Sequence, residues 1–104
     1  MLPRIVYEGG IAVLFEQPIT ARALRLQLVG GIIYRLRFVR GDQEIARTTV
    51  DMRGMAAFPA DPRLHDQEVQ VPAEAAGFTA VLVDALNPNS EHVGCVGSLV
   101  PVQG

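Results

Sequence analysis

Three arginines on alternating positions of two short apolar segments are the groups best placed to recognise something. They are Arg25 in Ala23-Leu24-Arg25-Leu26-Gln27-Leu28-Val29, and Arg35 and Arg37 in Tyr34-Arg35-Leu36-Arg37-Phe38. All nine basic residues of the chain are Arg, and Lys does not occur. A GC-rich genome gives such a bias without further cause. A guanidinium is also a planar fork that grips carboxylates in a bidentate way, which Lys does not do. Paired directly across a turn, the two segments set Arg25 opposite Arg37, and like charges so placed destabilise a sheet. An acid must lie alongside. The intramolecular candidates are Glu16 and Glu44 on neighbouring strands. The other source is an acidic surface on a partner protein or a second copy.

Nucleophilic chemistry has little to draw on. Cys95 and Ser98 are the candidate nucleophiles, and His65 and His92 the candidate bases. On an extended strand His92 and Cys95 point to opposite faces, because their separation is odd. A lone cysteine is more often a small buried hydrophobe. Asp61, His65 and Asp66 are the nearest thing to a metal site, but they lack the tight Cys/His spacing of a zinc centre. Asp84 beside Asn87-Pro88-Asn89-Ser90 reads as a turn former, since no EF-hand pattern surrounds it. The glycine pairs Gly9-Gly10 and Gly30-Gly31 lack the helix and Lys of a phosphate loop. Neither a metal nor a cofactor is expected, and the chain reads as a non-enzyme. Arg40-Gly41-Asp42 spells a tripeptide that integrins read, but Gly-Asp at a hairpin tip needs no reason beyond the turn.

Aromatic platforms are scarce. There is no Trp, and the two Tyr and four Phe are the whole aromatic set. Tyr34, Phe38, Phe15 and Phe78 fall on core-facing positions, which leaves Tyr7 and Phe58 as candidate binding surfaces for a carbohydrate or other small ligand. Stacking on nucleic-acid bases fails on the same count. A formal net charge of −2 removes bulk attraction to polyanions.

These residues are carried by a chain of 104 residues, 49% hydrophobic and 19% charged, which is one domain spanning 1–104. It is too apolar to remain disordered. One cysteine permits no internal disulfide. No apolar run is long enough to span a membrane as a helix. The run after Arg4 is broken by Glu8 and Gly9-Gly10, so a signal peptide is not expected; a cytoplasmic or particle-associated setting is.

Turn signals cut the chain into seven or eight short strands, which predicts an all-β antiparallel sandwich. Gly9-Gly10 predicts a hairpin between Ile5-Val6-Tyr7 and Ile11 to Phe15, apolar on both faces. If the two arginine-bearing segments pair directly, their parity predicts a three-residue turn, Gly30-Gly31-Ile32, or a glycine bulge, because a slip of one residue buries the arginines. Glu44 to Val50 is a β-branched strand. Residues 53–66 form a long excursion anchored by apolar side chains. Gln67 to Val71 is a short exposed strand, and Ala73-Glu74-Ala75-Ala76 is at most one helical turn. Phe78 to Val83 is nearly continuous in apolar character, as in a central strand. The last strand, His92 to Val102, has no charge after His92, and Gly94 and Gly97 predict a bulge or a close backbone approach.

In order, these pieces resemble the galactose-binding-like jelly-roll sandwiches of the discoidin type. The likeness rests on Ile19-Thr20-Ala21-Arg22-Ala23-Leu24-Arg25-Leu26, on Tyr34 to Phe38, on Val71-Pro72-Ala73-Glu74-Ala75-Ala76-Gly77-Phe78 before a buried strand, and on Val96-Gly97-Ser98-Leu99. It covers residues 11–103. The chain lacks the terminal cysteine pair common in that group. The resemblance implies a jelly-roll order and a non-enzymatic binding or assembly module.

The expectation is therefore a structural, assembly or accessory protein. It docks on itself or on a larger particle, as a coat, decoration or tail-type component would. A carbohydrate or small-ligand module is the alternative. Strands with so much apolar surface need covering.

Overall fold

A computed structural model describes residues 4–7, 10–55, 63–86 and 96–102. Eight strands lie within them: β1 (Arg4–Tyr7), β2 (Gly10–Ile19), β3 (Ala23–Val29), β4 (Ile33–Arg40), β5 (Gln43–Asp51), β6 (Leu64–Gln70), β7 (Phe78–Ala85) and β8 (Val96–Val102). A single 3₁₀ turn, Ala73–Ala75, precedes β7. The fold is an all-β sandwich. One sheet has the order β1-β2-β7-β4-β5, the other β6-β3-β8, and every pairing is antiparallel. No helix among the described residues is long and apolar enough to cross a membrane.

The pairing obeys a simple rule. β4 pairs with β5, β3 with β6, and β2 with β7. This is a ribbon of strand pairs rolled over itself, the jelly-roll arrangement. Continuing outward, the rule calls next for β1 beside β8. Instead β1 lies against β2, in register Arg4↔Val13 to Tyr7↔Gly10. Among the described residues β8 pairs with β3 alone.

Alternation decides which side chains fill the space between the sheets. From β3 come Leu24, Leu26 and Leu28, and from β4 Tyr34, Leu36 and Phe38, all buried. Val81 and Val83 of central β7, Val69 of β6 and Leu99 of β8 complete the same core with Phe78. Phe78 receives Phe15 and Phe38 edge-on, with ring centroids 5.5 and 5.2 Å away. The Tyr34 hydroxyl donates to the Val29 carbonyl at 2.9 Å, so its one polar atom is satisfied in the core.

Several elements differ from expectation. The Gly30-Gly31-Ile32 connection has the expected length, but it crosses between sheets. β3 and β4 are therefore not partners, and Arg25 does not oppose Arg37. Parity correctly sorted inward from outward positions, yet parity is blind to which sheet a strand joins. In the first hairpin Tyr7 pairs with Gly10, so residues 8 and 9 connect the strands and Gly10 opens β2. β2 also continues to Ile19, through a register shift between Leu14 and Ile19 that accommodates Pro18. β6 begins at Leu64, inside the expected excursion. The expected bulge in the last strand is present. Leu26 pairs with Leu99 and Leu28 with Val96, so Gly97 and Ser98 together face the single residue Gln27.

Candidate functional site

The outward face of the five-stranded sheet carries the main charge cluster. Arg35 sits opposite Asp84, and Arg37 stands between Leu82 on β7 and Arg47 on β5. Arg35 closes a fork on Asp84, Nε to Oδ1 at 3.1 Å and Nη2 to Oδ2 at 2.6 Å. Arg37 reaches the same Asp84 at 3.6 Å and Glu44 at 3.9 Å. Arg47 holds Glu44 from the far side at 2.5 Å. A like-charge opposition does exist, then, between Arg37 and Arg47, and Glu44 bridges it. The bulge that shifts the register between Phe38 and Val39 belongs to the same stretch of ladder.

Arg25 lies on the other outer face, opposite Glu68 and 3.5 Å from its carboxylate, with Arg22 on the second oxygen at 3.3 Å. Next to it the Gln27 amide donates to Asp66 at 3.0 Å. Its oxygen accepts both the Ser98 N–H and hydroxyl, each at 3.1 Å. The bulge turns the Ser98 N–H out of the regular ladder, and the Gln27 side chain meets it. All three singled-out arginines are thus paired within the molecule. Glu44 is one of the acids foreseen. Glu16 is exposed and joins none of the ion pairs among the described residues. Glu68 was not foreseen, and Asp84, expected to form the turn that follows, instead lies within β7 and pairs with Arg35 across the ladder. For Asp84 the missed signal was an acid at an outward parity position inside an otherwise apolar strand. A charge there needs a cation from the next strand.

Phe58, Asp61, His92 and Cys95 lie outside the described residues, and so does the Tyr7 side chain. His65 and Asp66 are consecutive on β6 and point to opposite faces. No group of three metal-ligating side chains occurs among the described residues. The Ser98 hydroxyl is held by an amide oxygen, which is no base. At the Arg40-Gly41-Asp42 tip, Gly41 has φ +65° and the loop is two residues long between Arg40 and Gln43, a type II′ hairpin. The Arg40 guanidinium is folded back onto the Ala76 carbonyl. The Gly41 N–H donates to the Thr79 hydroxyl at 3.0 Å. The motif is built as a turn, with its cation tethered.

The remaining distinctive feature is an edge. A sheet edge presents unpaired N–H and C=O groups, and proteins guard such edges with charge. The edge strand β6 carries Asp66 and Glu68, and the edge strand β5 carries Glu44, Arg47 and Asp51. β8, Val96-Gly97-Ser98-Leu99-Val100-Pro101-Val102, carries none. On its outward face Val100 is 51% exposed, the most exposed large hydrophobic residue described. Leu64, Leu86 and Met55 are also exposed. Leu64 pairs with Val29 at the end of β3. The Leu86 N–H donates to the Ile33 carbonyl, and Met55 follows Met52, which bonds Gly31 and Ile32. All three therefore gather where the chain crosses from β3 to β4.

Compared with known proteins, the chain matches no family model, no curated protein and no solved structure.

Proposed function

We propose that this protein is a non-enzymatic assembly or accessory module that docks through the side of the sandwich bearing β8. The observation that carries the proposal is the contrast between edges, charged on β5 and β6 and uncharged on β8, where Val100 stands exposed. An uncharged edge beside an exposed aliphatic side chain is a template for another strand. The arginine clusters support the reading from the other side. Each is neutralised at home, so the outer faces act as solvated walls and β8 is left as the surface that gains from contact. The resemblance to galactose-binding-like sandwiches implies docking without catalysis.

Sedimentation equilibrium over micromolar concentrations tests this, with Val100→Glu alongside the natural chain. The natural chain is expected to associate. The variant is expected to associate at least about tenfold more weakly, because a carboxylate must be desolvated at the contact. Its melting temperature, read at a dilution where both proteins are monomeric, should match that of the natural chain, since the position is solvent-exposed. A natural chain that stays monomeric at every concentration overturns self-docking.

A further inference from the structure

We draw no further inference here: the strongest candidate, the surface patch of Leu64, Leu86 and Met55 where the chain crosses from β3 to β4, is exposed and apolar, but nothing among the described residues shows what covers it.

Discussion

Arg35 and Asp84 face each other across β4 and β7, and the guanidinium grips both carboxylate oxygens in a two-point fork. The two side chains are only 27% and 12% exposed. A charge at the outer middle of the five-stranded sheet is tolerable only because its complement stands one strand away. Arg37 shares the same carboxylate from the neighbouring position on β4.

Asp84→Asn is therefore expected to lower unfolding stability by about 2 kcal/mol, because it strands a partly desolvated Arg35 while keeping the shape. The double substitution Arg35→Met with Asp84→Leu is expected to return to within about 1 kcal/mol of the natural chain, since an apolar pair needs no charge compensation there. Urea unfolding of the three proteins checks both values. A double variant as unstable as Asp84→Asn contradicts the account.

Tyr34→Phe removes only the hydroxyl that donates to the Val29 carbonyl. A loss of about 1 kcal/mol is expected, the worth of one buried hydrogen bond with its acceptor left unmet. Thermal unfolding should show it as a fall of several degrees in Tm.

Leu36→Ala opens a hole between the sheets where Leu36 is fully buried beside Val83. The expected loss is about 3 kcal/mol, from transfer and cavity together. Gln70→Ala on the exposed outer face of β6 is the control and should change stability by less than about 0.5 kcal/mol.

At the end of β5 the side-chain hydrogen bond from Arg53 lowers the Asp51 carboxyl from its ordinary 3.8 to about 2, helped by the Arg53 backbone N–H. A depressed carboxylate pKa supports the fold above the unfolded value. That support is lost as pH falls from about 4 through about 2. A ¹³C NMR titration of Asp51 should show the low value, and Arg53→Ala should carry it up toward 3.8. An Asp51 that titrates near 3.8 in the natural chain contradicts the pairing.

Much of this architecture can be read from particular residues. Leu24-Arg25-Leu26-Gln27-Leu28 and Tyr34 to Phe38 announce their inner and outer faces, because a strand's period of two leaves no third option. Gly97 marks a bulge, and the apolar run from Phe78 marks the central strand. What stays hidden is partnership. Alternation says that Arg35 points outward, but it is silent on whether Glu16, Glu44 or Asp84 waits across the gap. That depends on strand order, which long-range packing settles. The same blindness placed Arg25 against Arg37 when they lie on opposite faces of the sandwich. The uncharged character of β8 is plain in the sequence. That it forms an edge is a property of the sheet and of no single residue.

The rolled ribbon also dictates an order of assembly in time. The β4–β5 hairpin closes over a two-residue tip and can form as soon as those residues exist. β3 can join β6 only after Gln70 has been made, and β2 waits until Asp84 is available to meet Gly10. Each outer layer closes a longer loop than the one inside it, at a rising entropic cost. During synthesis β2, made before β3 to β8, is thus among the last strands of this fold to find its place, and until then its aliphatic side chains remain open to chaperones.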